Sequence, residues 1–87
     1  MKTYSLSKTG IDRYVWDVEA YIAERLSVDQ AERLTSPLRW YIGTGRASTA
    51  FIRGMITLRP FVIARVLLKG GADEEVVNAL KKRVKCD

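Results

Sequence analysis

The chain has 87 residues, 47% of them apolar, with a formal net charge of +5, no histidine and one cysteine. That length makes one domain or one subunit of a small oligomer, and it hides roughly 60–65% of its unfolded surface, enough for one modest core. The apolar share argues against disorder, the lone Cys86 excludes an internal disulfide, and without histidine or Cys/Asp/Glu groups at ligand spacing no metal site or cofactor is expected.

Residues 1–9 read as a flexible N-terminal arm, because Lys, Thr and Ser dominate and nothing repeats at a helical period. A single helical domain is expected over residues 10–87. From about Ile11, the residues Ile11, Tyr14, Val15, Val18, Ile22 and Leu26 follow spacings of three and four and form one apolar stripe. Ser27 stands three residues before Gln30, a capping-box spacing that predicts a short helix over Val28–Leu34. Ser36-Pro37 reads as a further start, with Ser as cap and Pro at the first helical position, opening a segment from Leu38 to Ile42 that Gly43 and Gly45 terminate.

The next helix begins at Ser48 and has Thr49 to Met55 as its body. Arg59-Pro60 marks the following boundary, since the residue before proline is pushed out of helical geometry. Pro60 then opens a helix that runs to Lys69 and stops at Gly70-Gly71. Asp73 caps the last helix, with Glu74 and Glu75 in its first turn and Lys81, Lys82, Arg83 and Lys85 in its last, an order that matches the helix dipole. Val76, Val77, Leu80 and Val84 form its apolar stripe. The expected fold is all-α: a small bundle of five to six helices, with no strand and no internal repeat.

Charge is unevenly placed along these elements. Residues 1–45 carry six basic and six acidic side chains, whereas residues 46–87 carry nine and four. From Arg33 to Ala72 there are seven cations (Arg33, Arg39, Arg46, Arg53, Arg59, Arg65 and Lys69) and no carboxylate. Ordinary soluble surfaces intersperse both signs, so a stretch of one sign suits an external polyanion, with nucleic acid the leading choice. A solvated basic surface without a partner is the plain alternative.

Two short helices joined by a tight turn, Ser48–Met55 and Pro60–Lys69, have the proportions of a helix-turn-helix spanning about residues 47–70. The residues Gly45, Arg46, Ala47, Ser48 and Thr49, the apolar pair Phe51-Ile52, and Ala64-Arg65-Val66 carry a more specific likeness. Over about 25 residues the pattern resembles the winged-helix gamma domain of bacterial FtsK-type chromosome translocases. That resemblance implies a helix-turn-helix whose second helix enters the major groove of double-stranded DNA. The chain departs from the family in having Gly70-Gly71 and a charged helix where a wing should follow, and Pro60, Phe61 and Val62 where polar residues should lead the recognition helix.

Read from the residues themselves, Arg46, Ser48, Thr49 and Arg53 are expected on the DNA backbone, with hydroxyls and free amides at a helix start offered to a phosphate. Arg59, Arg65 and Lys69 are expected at the groove. Ile63, Ala64, Val66 and Leu67 should point into the core, leaving Phe61, Val62 and Leu68 as surplus apolar residues and interface candidates. The aromatic residues Tyr14, Trp16, Tyr21, Trp40 and Tyr41 stand at helical spacing beside core positions and are expected to pack there, with stacking on exposed bases as the alternative.

Gly43-Thr44-Gly45 lacks the pattern and the preceding strand of a phosphate loop. Catalysis is not expected, since no acid–base pair or activated nucleophile can be nominated. The first ten residues lack the apolar stretch of a signal peptide, and the longest apolar run, Phe61–Leu68, is broken by Arg65 and too short to span a bilayer.

The resulting expectation is a cytoplasmic DNA-binding regulator of transcription, acting as a homodimer and without membrane contact. The alternative is a helical protein-interaction module, such as a phage or viral subunit or an inhibitor of a host complex, whose basic face meets an acidic protein.

Overall fold

The structure, a computed structural model, describes residues 4–55 and 59–84. Five helices follow one another: α1 (Lys8–Arg25), α2 (Val28–Gly43), α3 (Thr49–Met55), α4 (Pro60–Lys69) and α5 (Glu74–Val84). Among the described residues there is no strand. The expected turn over residues 56–58, Lys85 and Cys86 lie outside the described residues.

Helix α1 starts earlier than its apolar stripe suggested. Ser7 accepts a hydrogen bond from the Gly10 amide at 3.2 Å and so caps the helix, which places Lys8 and Thr9 in α1 rather than in an arm. Tyr4 lies against the same helix: its ring meets Tyr14 edge to face at 5.2 Å, and its hydroxyl donates to Asp17 at 2.6 Å. Burial, and then the Asp17 bond, push the Tyr4 phenol well above its ordinary value, so it remains a donor.

Helix α2 corrects the reading of Ser36-Pro37 as a break. Pro37 sits inside one continuous helix, where it lacks the N–H that would reach the Arg33 carbonyl. Ser36 turns backward, donating to the Glu32 carbonyl at 2.8 Å, instead of forward as a cap would. The reason is burial: Ala31, Leu34, Thr35 and Leu38 form one inaccessible stripe that crosses the proline, and a break would split it. The start of α2 is as expected. The Ser27 hydroxyl oxygen accepts from the Gln30 amide at 3.1 Å, and the same hydroxyl donates to the Gln30 side chain at 3.1 Å.

The core joins four helices. Tyr14, Val15, Val18 and Ile22 of α1 meet Ala31, Leu34 and Leu38 of α2, Ile63, Ala64, Val66 and Leu67 of α4, and Val77 and Leu80 of α5. Over residues 49–53 helix α3 has no fully buried side chain; Phe51 and Ile52 are half-buried. Between α4 and α5 the chain turns at Gly71, whose φ of 98° is a left-handed value that glycine adopts without a Cβ clash. Asp73 then caps α5 by accepting from the Glu75 amide at 2.9 Å. No helix among the described residues is long and apolar enough to cross a membrane.

Candidate nucleic-acid interface

The seven cations between residues 33 and 72 divide into two groups. Arg39 donates to the Glu19 carboxylate at 2.8 Å and to the Thr35 hydroxyl at 3.2 Å, and Arg33 stands 4.0 Å from Asp73. Carboxylates from outside the acid-free stretch therefore engage these two. Among the described residues no ion pair involves Arg46, Arg53, Arg59, Arg65 or Lys69. These five are the cations expected at the interface, and all five are exposed.

The Glu19 site follows from two helices packed side by side. Burial opposes ionisation of Glu19, but the hydrogen bonds from Arg39 and Thr35 and the guanidinium charge outweigh it and hold the carboxyl below its ordinary range. Thr35 is fully buried, and its hydroxyl oxygen lies 2.9 Å from both the Glu19 carboxylate and the Ala31 carbonyl, which share its single hydrogen. The pairing fixes α1 against α2 and removes Arg39 from the cations free to meet a ligand.

Helix α4 sorts its apolar residues onto two faces. Ile63, Ala64, Val66 and Leu67 are in the core, while Phe61 is 73% exposed and Leu68 is 36% exposed. Val62 is half-buried. Phe61, Arg65 and Lys69 are spaced by four and share the outer stripe, with Leu68 beside them. The Arg65 guanidinium lies 5.3 Å from the Phe61 ring centroid. Within this chain the helix is not buried all round, because it presents one mixed apolar and cationic face.

A cleft of about 250 Å³ separates α3 from α4, lined by Ala50, Phe51, Arg65, Val66 and Lys69. Two of the expected groove residues, Arg65 and Lys69, thus face the first half of α3. Arg53 and Arg59 are exposed elsewhere on the pair, Arg59 at the residue that precedes Pro60 with extended geometry. Ser48 and Thr49 are exposed at the start of α3, but the Ser48 oxygen accepts from the Phe51 amide at 3.1 Å. Only its O–H is left to donate to a phosphate.

Arg46 stacks on Trp40, its guanidinium 4.8 Å from the ring centroid. Here the expectation that both tryptophans pack in the core is corrected: Trp16 is 56% exposed and Trp40 is 58% exposed, whereas Tyr14 is buried and Tyr21 and Tyr41 are half-buried. The helical period explains it. Trp40 is two residues beyond the buried Leu38, a rotation of about 200°, and Trp16 is two beyond Tyr14. Both therefore point away from the stripe that their neighbours bury.

No family model, no curated protein and no solved structure matches this chain.

Proposed function

We propose that this chain is a small DNA-binding protein that grips duplex DNA through α3 and α4 acting as a helix-turn-helix, and that it regulates transcription by occupying its site. The observation that carries the reading is the set of five exposed cations without a carboxylate partner among the described residues, two of them on the outer stripe of α4. Arg46, Ser48, Thr49 and Arg53 contact backbone phosphates, and Arg59, Arg65 and Lys69 enter or border the groove. Phe61, at the front of α4, supplies an apolar contact of the kind that a thymine methyl accepts. The protein binds without catalysing, and it acts as a dimer on two half-sites one helical turn apart. The wing of the resembling family is replaced by the turn at Gly71 and helix α5.

Salt titration of binding to duplex DNA tests the reading. A protein that neutralises about five phosphates loses affinity with a log–log slope near −4 to −5. Absence of measurable binding at low salt would transfer the interface to the second reading, a protein-interaction module. That reading is favoured by one observation: Phe61 and Leu68 lie together on a solvent-facing stripe beside Arg65, as an apolar anchor with a cationic rim for an acidic protein would.

A further inference from the structure

Arg46, placed on a phosphate above, stacks on Trp40, and the binding mode above gives that indole no part. The indole projects from the outer side of α2, opposite Leu38, and more than half of it is accessible. Exposing so much of a tryptophan forgoes the burial that usually stabilises this side chain. The turn that brings Arg46 back over the ring is fixed by hydrogen bonds. Thr44 donates to the Trp40 carbonyl from its amide at 3.0 Å and from its hydroxyl at 2.9 Å, and the Gly45 amide donates to the Ile42 carbonyl at 3.1 Å. The turn that leads to Arg46 is thus set before any partner arrives.

A second arginine on an exposed tryptophan shows what is particular about this one. Arg13 lies 4.7 Å from the Trp16 ring centroid, but Asp17 engages it at 3.3 Å. Trp16 also borders an apolar groove with Ile11, Val15, Ile42 and Ile52. Arg46 has no carboxylate partner among the described residues. The Trp40 platform therefore offers an aromatic surface together with a cation whose charge remains available.

The end of α2 that carries the platform also reaches a residue of the cationic cleft. Tyr41, the next residue, meets the ring of Phe51 edge to face, and Phe51 lines the cleft that holds Arg65 and Lys69. A nucleotide chain entering that cleft passes close to the end of α2.

We infer that Trp40 and Arg46 together bind an unpaired nucleobase of DNA, the indole stacking on the base and the guanidinium meeting the phosphate next to it. The inference rests on the DNA-binding reading. Stacking on an aromatic side chain is tolerant of base identity, because every base has a π-face, and a cation beside the ring strengthens it. In an intact duplex those faces are already stacked on neighbouring bases. The protein is accordingly selective for DNA that presents a bulged, mismatched or displaced base beside a duplex segment.

The test compares a short duplex with the same duplex carrying one central bulged nucleotide, by fluorescence anisotropy of labelled DNA at low salt. The bulged form is expected to bind at least about five-fold more tightly. Trp40→Ala should abolish that preference, Trp40→Phe should retain part of it, and Trp16→Ala should leave it intact. In Trp16→Phe, where Trp40 is the one remaining tryptophan, emission should be quenched by the bulged duplex. Equal binding of both duplexes by the unmodified protein, or a preference that survives Trp40→Ala, overturns the inference and leaves duplex binding standing. Failure to bind either duplex overturns both.

Discussion

The rings of Tyr41 and Phe51 meet edge to face, 5.4 Å between centroids and 89° between planes, and this contact ties α3 to the end of α2. Over residues 49–53 no side chain of α3 is fully buried, so in this part of the helix Phe51 and Ile52 carry its apolar packing. Phe51→Ala removes the aromatic pair and part of the apolar burial. A fully buried Phe→Ala change costs about 3–5 kcal/mol, and a half-buried one should cost about 1–2. The loss should be local: hydrogen exchange at α3 amides accelerates, while protection in α1, α2 and α5 persists. Uniform loss of protection would show instead that α3 belongs to the cooperative core.

The two-arginine reversal tests the interface by charge. Arg53→Glu with Arg65→Glu changes the net charge by −4 and places two carboxylates where phosphates are proposed to sit. Both side chains are exposed and free of ion pairs among the described residues, so far-UV circular dichroism and melting should stay nearly unchanged. Duplex binding should vanish at low salt. An unfolded double variant would mean that these arginines hold the helices together, the Arg65 contact with Phe61 being the first suspect.

The Arg39–Glu19 pair yields a pH prediction with a definite sign. Its carboxyl titrates lower in the folded chain than in the unfolded one, where glutamate titrates near 4.3. The pair's stabilisation is therefore complete above that value and disappears as pH falls through the lower folded value. Arg39→Met should cost about 1 kcal/mol at neutral pH, a figure kept small because the Arg39 side chain is 43% exposed and screened by water. The gap between variant and unmodified protein, measured by urea denaturation, should narrow below about pH 4. A gap independent of pH would assign the effect to packing of the Arg39 stem.

Local signals in the chain were enough to place most of the helices. Ser27 with Gln30, Pro60 after Arg59, and Asp73 before Glu74 and Glu75 act within one turn, and the structure uses each one at its expected end. Ser36-Pro37 misleads because its local preference is overridden by the buried stripe from Ala31 to Leu38, a tertiary effect. The division of α4 into a core face and an outer stripe is legible from spacing alone. Neutralisation of Arg39 by Glu19 is not: it joins residues twenty apart through the packing of α1 on α2, and only that packing shows which cations stay free. The outward direction of Trp16 and Trp40 could have been read from their offset from Tyr14 and Leu38. Membership in an apolar run concealed it.

Gly70 offers the sharpest test of how α4 is seated on α2. A Cβ added there would lie 3.1 Å from the Leu38 Cα and 3.2 Å from its Cδ1. A side-chain tip could give way, but the Leu38 backbone is held inside α2, so the two helices would have to separate. Gly70 itself has an ordinary φ of −76°, so alanine is conformationally acceptable and the cost is steric alone. Overpacking of this kind costs about 1–3 kcal/mol. Gly70→Ala should therefore lower the melting temperature by about 4–24 °C, since each kcal/mol is worth about 4–8 °C in a domain of this size. Gly71→Ala is the companion variant: a Cβ there meets nothing closer than 4.0 Å, but the φ of 98° would strain any other residue. If helix separation is the cause, only Gly70→Ala should shift the methyl resonances of Leu38, Val66 and Leu67. A Gly70→Ala protein that melts like the unmodified one would mean that α4 can slide along α2 at little cost, and the outer stripe of Phe61, Arg65 and Lys69 would then lose its fixed orientation.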